Sequence, residues 1–216
     1  DLYGKKHIGE FDLAVEVPIV NGQFGSVDYK SLGVALEVDW SISEFWRTSL
    51  KGGYASGQED IVDTAPDTYR AFYFHPDYQV GLILFNYQMN NFAGPNLAND
   101  STLSDSNLLS PYDNPVVNAT YLSLSSDYQT GKWNLHGTLV LAKALKTASN
   151  SGRFFNTWTR SFVDYNAGPS QSALMGWETD FGAQFDYDRF FRFNVDLGVF
   201  FPGAFYKFSN TAQENG

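Results

Sequence analysis

The sequence contains no cysteine, which excludes a disulfide framework and any thiolate metal site. No stretch approaches the ~18 consecutive apolar residues of a transmembrane helix, and no 3.6-residue periodicity is sustained over several turns. Positive charge is scarce. Against 24 Asp and Glu stand 14 Lys and Arg, a net charge of −10 over 216 residues, which argues against nucleic acid or an anionic lipid surface as a partner held by charge. The three histidines, His7, His75 and His136, are scattered, with no His-x-x-x-His or His/carboxylate spacing, so neither a metal site nor a cofactor is expected. There is no glycine-rich phosphate loop. The chain starts at Asp1 without an initiator Met or signal peptide and reads as a mature product or as part of a longer one.

Aromatic residues, by contrast, are abundant at 17%, nearly matching the charged share of 18%, an unusual balance for a soluble domain. Their placement is regular. From Met175, apolar residues occupy alternate positions (Met175, Trp177, Phe181, Ala183, Phe185, Tyr187, with Thr179 the exception), while Gly176, Glu178, Asp180, Gly182, Gln184 and Asp186 intervene. After a tight turn at 186–189, Phe191, Phe193, Val195, Leu197, Val199 and Phe201 oppose Arg192, Asn194, Asp196 and Gly198. Such period-2 patterning predicts strands with one apolar and one acidic face. Each arm runs about a dozen residues, roughly twice a usual soluble strand and close to what a tilted membrane-crossing strand needs.

The same pattern recurs over 8–18, 31–40, 46–55, 116–128 and 133–142. Pro18 with Asn21-Gly22 is predicted to end the first of these. Residues 71–75 read as a short strand before a Pro76-Asp77 turn, and 78–89, apolar on both faces in its middle, as a further, ambiguous one. The count is nine strands in a single domain spanning 1–216, with long polar loops at 56–70, 90–114 and 146–171.

Two architectures accommodate this pattern: a soluble β-sandwich that hides its apolar faces, and an outer-membrane β-barrel that turns them toward lipid. Long strands, connections of two sizes, and aromatic residues near strand ends favour the transmembrane antiparallel barrel. Trp40, Trp46, Tyr128, Trp133 and Tyr187 stand beside tight turns and Tyr54 lies at the other end of its strand, as interfacial girdles require. An odd strand count and a polar C-terminal stretch predict part of a larger barrel, incomplete at both ends and of more than eight strands.

On that reading the polar faces line a lumen with Glu10, Asp12, Glu16, Glu37, Asp39, Glu178, Asp180, Asp186 and Asp196 against Arg47, Lys51 and Arg192. So many carboxylates would be costly in the packed interior of an eight-stranded barrel, whereas a wide hydrated lumen accommodates them and selects for cations or neutral polar solutes. The alternative is that some pair with Arg and Lys of strands beyond this sequence. Other constellations are weaker. His136 beside Asn134 lacks a well-placed serine, so no enzyme is expected. His75-Pro76-Asp77 reads as a turn, and the Asp/Asn-rich stretch 99–107 lacks the spacing of a helix–loop–helix calcium site.

Gly53-Tyr54-Ala55-Ser56-Gly57 at a strand-to-loop junction resembles a strand end in alginate-export-like outer-membrane barrels of Gram-negative bacteria, although Gln58 interrupts the motif before Glu59-Asp60. Residues 72–78, 82–85 (Leu-Ile-Leu-Phe) and 200–203 (Phe-Phe-Pro-Gly) are similar to segments of the same broad, porin-like group. The resemblance implies a passive outer-membrane channel for polar solutes, in contact with outer-membrane lipid and lipopolysaccharide and open to assembly as an oligomer or larger complex. An anchor presenting long loops for adhesion is the alternative, and an outer-membrane hydrolase a more remote one. Alginate exporters imply a lumen of Arg and Lys, and the acidic faces here depart from that.

Overall fold

In a computed structural model of the chain, residues 1–57, 68–75, 77–86, 116–147, 152–156, 161–165 and 172–205 are described. They form strands and connecting segments, with no helix among them. The strands are β1 (Leu2–Ile8), β2 (Phe11–Val17), β3 (Ile19–Phe24), β4 (Val27–Ser41), β5 (Trp46–Ala55), β6 (Thr68–Tyr69), β7 (Ala119–Thr130), β8 (Trp133–Ala144), β9 (Gly152–Asn156), β10 (Ser161–Tyr165), β11 (Leu174–Asp186) and β12 (Arg192–Pro202). One ten-stranded sheet runs in the order β1-β2-β4-β5-β7-β8-β11-β12, with β3 and β6 attached to β4; β9 and β10 form a separate hairpin. All pairings are antiparallel except the two-residue contact of β6 with β4.

Among the described residues the sheet does not close: β1 and β12 each pair on one side only, so the all-β antiparallel architecture is as predicted while a sealed barrel is not seen. The long two-faced strands at 31–40, 46–55, 116–128, 133–142 and 175–201 all form, with tight turns inside the β4–β5, β7–β8 and β11–β12 hairpins. Between β7 and β8 the turn is made by Gly131-Lys132, and Gly131 takes φ +60, a conformation that costs glycine nothing. A second such residue, Gly176 (φ +128), sits where the β8–β11 register shifts and lets Met175 turn into the interior.

Several expectations are corrected. Pro18 ends β2 at Val17 as predicted, but Asn21-Gly22 makes no turn: the chain resumes as β3, still along β4, with the Pro18 carbonyl accepting the Gly33 N–H at 3.0 Å and Asn21 and Gly22 inside the strand, and it turns instead at Gly25. β1, a strand the alternation does not predict, adds to the edge at β2. Residues 71–75 and 77–86 are not strands. The nine-strand count therefore fails, because both segments are apolar for a different reason: they cross the polar face of the sheet and bury their side chains against it. Of the long loops, 90–114 and the stretch 99–107 lie outside the described residues, as do most of 56–70 and the end of the 78–89 stretch; 146–171 contains the β9–β10 hairpin.

The core sits under that crossing segment, called here the strap (71–75 and 77–86). Phe74, Val80, Leu84 and Phe85 pack with Ala55, Ala119, Tyr121, Val140, Ala142 and Met175. Phe72 N–H to the Ser56 carbonyl (2.9 Å) and Phe74 N–H to the Val116 carbonyl (3.0 Å) tie its start to the end of β5 and the approach to β7. The opposite face of the sheet stays open. Leu36, Leu50, Leu122, Leu124, Leu135, Leu139, Leu141, Phe181, Val195 and Leu197 are all exposed there. A soluble sandwich would bury this face and expose the polar one, the reverse of what the strands do.

Candidate functional site: the strapped polar face

Straight cross-strand registers arrange the polar side chains in rows. One row reads Glu37 (β4), Lys51 (β5), Ser123 (β7), Val140 (β8), Glu178 (β11), Phe200 (β12); the next, toward the short turns, reads Asp39, Ser49, Ser125, Thr138, Asp180, Gly198. Beyond it run Arg47, Asp127, His136, Gly182 and Asp196, and then Gln129, Asn134, Gln184 and Asn194. The wall thus mixes Glu37, Lys51 and Glu178 with small and apolar groups under the strap and gives way to charged and amide groups near the turns.

The strap is fastened to the wall through its own backbone. Three successive amides, of Leu82, Ile83 and Leu84, donate to carboxylates: Leu82 to Asp180 (3.3 Å), Ile83 and Leu84 to the two oxygens of Glu178 (2.7 and 2.5 Å). Gly81 and Gly198 permit this approach, since a Cβ there would lie 2.9 and 2.8 Å, respectively, from the nearest carboxylate oxygen. Glu178 is 0% exposed and Asp180 5%, so both are removed from the lumen-facing set that alternation predicts. Buried backbone donors require acceptors, and these two side chains supply them.

Beside this clamp lies a phenol relay. Tyr121 donates to the Tyr78 hydroxyl (2.8 Å), which donates to Glu37 (3.2 Å), and Glu37 also meets Lys51 at 3.3 Å. Gly53 makes room for the Tyr121 ring, which a Cβ there would overlap. Burial, foremost, pushes the Tyr78 hydroxyl up to about 12; the Tyr121 hydrogen bond acts against this and the nearby Glu37 charge with it.

The remaining predicted residues keep the polar face but are mostly paired. Asp12 meets His7 at 3.0 Å, Asp39 accepts from Ser49, Asp186 meets Arg192 at 2.6 Å and Asp196 meets His136 at 2.7 Å. Glu16 is exposed on the same face, and Glu10 sits in the β1–β2 turn. Sequence reasoning missed Tyr78, Tyr121 and the three strap amides. The one available signal was the run of small residues on the polar face, Gly33, Gly53, Gly182 and Gly198, which marks close approach by another segment.

The aromatic predictions fall on two bands of the open apolar face. Trp40, Trp46, Tyr128, Trp133 and Tyr187 are exposed at the short-turn end, with Phe11 stacked on Trp40 (5.6 Å) and Trp46 edge-on to Tyr128 (6.4 Å). Tyr54 lies at the opposite end, near which Trp177 stacks on Phe201 at 4.0 Å. From Trp46 to Tyr54 is eight residue steps, roughly 27 Å along the strand. With the usual tilt that comes near the ~25 Å apolar band of an outer-membrane barrel. Among the described residues no cluster of His, Asp and Glu could hold a metal ion. Compared with known proteins, the chain matches no protein-family model and no curated protein.

Proposed function

We propose that this chain forms wall of an outer-membrane β-barrel channel that passes small polar or cationic solutes by diffusion, without covalent chemistry. The observation that carries the reading is the inverted sheet. Strands of 10 to 15 residues present exposed leucines, valines and aromatics on one face, and carboxylates, hydroxyls and amides beneath a strap on the other. Lipid is the solvent that suits the first face and a hydrated lumen the one that suits the second. The bare edges of β1 and β12 and the number of carboxylates support a barrel of more than eight strands. In it the strap narrows the passage from one side, and Glu16, Asp39, Asp127 and Asp196 give the remaining wall its acidic character. Outer-membrane lipid and lipopolysaccharide are the partners of the apolar face.

Planar-bilayer recording of the purified, folded protein under a KCl gradient tests this. A steady conductance with a reversal potential favouring K⁺ is the expected result, and the absence of conductance from folded protein defeats the channel reading. A specific observation favours a second reading, in which the barrel is an anchor for surface loops. The strap covers Ser123, Val140 and Glu178 on the inner face, as a plug would. That reading predicts no conductance until the strap is released.

A further inference from the structure

At the short-turn end of the inner face, away from the strap, the β4–β5 and β7–β8 hairpins enclose an open concavity of about 370 Å³, within the size range of small-molecule sites. Its lining includes Glu44, Phe45, Arg47, Asp127, Gln129 and Asn134. Arg47 and Asp127 stand directly opposite each other in the β5–β7 register, which puts their Cβ atoms about 4.5–5.5 Å apart. Yet they do not join. Neither side chain makes a hydrogen bond or ion pair among the described residues, and the same holds for the Glu44 carboxylate. Elsewhere on this wall facing opposites do pair, as in Glu37 with Lys51 and Asp186 with Arg192. Next to them the Asn134 side-chain oxygen is buried without a partner, and Gln129 is its cross-strand neighbour.

We propose that this concavity binds a small zwitterion, a solute with a carboxylate and an ammonium on the same carbon in the manner of an α-amino acid. Arg47 receives the carboxylate in its planar fork of donors, and Asp127, backed by Glu44, receives the ammonium. Asn134 offers its oxygen to a remaining N–H. Phe45, exposed in the β4–β5 turn, gives an apolar wall for the solute's side chain. Each simpler solute meets an obstacle here: an anion faces Asp127 and Glu44, and a simple cation faces Arg47. A neutral sugar leaves the charges uncompensated. A zwitterion answers both signs at once.

The test is a binding titration by calorimetry on the full chain folded in detergent, with L-alanine, L-alaninamide, N-acetyl-L-alanine and glucose as probes. L-Alanine is expected to bind saturably in the range of about 1 mM, and each of the other three at least about tenfold more weakly. Arg47→Gln should erase the preference over L-alaninamide, and Asp127→Asn the preference over N-acetyl-L-alanine, with β-sheet circular dichroism unchanged in both. Equal binding of L-alanine and glucose overturns the proposal. So does the absence of saturable binding by folded protein, or preferences that survive both substitutions. Bilayer recording on the same preparation keeps the two readings apart: selective binding without conductance defeats the channel and leaves the site standing, and conductance without binding does the reverse.

Discussion

Replacing Glu178 by alanine should loosen the strap from the wall. The substitution removes both acceptors of the Ile83 and Leu84 amides. Hydrogen bonds to a charged group contribute about 1.5–3 kcal/mol each, so roughly 3–6 kcal/mol is lost. Opposing release is the burial of Val80, Leu84 and Phe85, at about 1.5–3 kcal/mol per side chain, or roughly 5–9 kcal/mol together. The apolar term is of the same size as the loss or larger, so the strap remains mostly seated while its lifted population rises by roughly two to four powers of ten. Limited chymotrypsin digestion of the folded protein reads this directly, since cleavage after Tyr78 and Phe85 requires the strap to leave the sheet; bilayer recording should show a larger or noisier current in parallel. Glu178→Gln should fall between parent and alanine variant, because an amide keeps one acceptor oxygen but turns an NH₂ toward the second donor. If the alanine variant keeps its β-sheet signal and neither cleavage nor current changes, the clamp does not hold the strap and the reasoning fails.

Leu124→Arg on the open face should reduce folding stability in bilayers by about 2–4 kcal/mol, as for a cation at the middle of the lipid-facing wall, while Ser125→Arg on the opposite face costs much less; equal effects in urea titrations of vesicle-folded protein would contradict the inverted sheet. Raising the pH should weaken the strap. The Tyr78 hydroxyl is pushed from 10.0 up to about 12 in the folded chain, so its contribution is intact below pH 10 and is lost as pH rises toward 12, which tyrosinate absorbance and strap cleavage should follow together. Gly182→Ala should part His136 from Asp196, because a Cβ at that position overlaps both side chains. Overpacking of this kind costs about 1–3 kcal/mol, which a urea titration of the folded protein should read.

What could be read from the sequence was what repeats every second residue. β4, β5, β7, β8, β11 and β12 declare themselves because one side of each meets a single kind of surroundings over its whole length. β1 does not, since Lys5-Lys6-His7 at a sheet edge alternates weakly. The strap was misread for a physical reason: Phe74, Val80, Leu84 and Phe85 are apolar because they cover a polar wall, and composition alone cannot tell a covering segment from a strand. Glu178 and Asp180 were placed on the correct face and given the wrong surroundings. Their partners are backbone amides more than ninety residues earlier in the chain, and an amide carries no side-chain signature.

The bare margins of the sheet bear on how such a wall is assembled. Along β1 and β12 every second peptide group points away from the sheet with no neighbouring strand among the described residues to meet it. In water such groups are hydrated, but in hydrocarbon each unsatisfied one costs several kcal/mol. An open eight-strand ribbon is thus a form tolerated in water or at the bilayer surface and penalised inside it. On the channel reading proposed above, passage into lipid would be coupled to sealing the seam, and whatever strands met β1 and β12 would control when the leucine face enters the membrane as well as how wide the ring becomes.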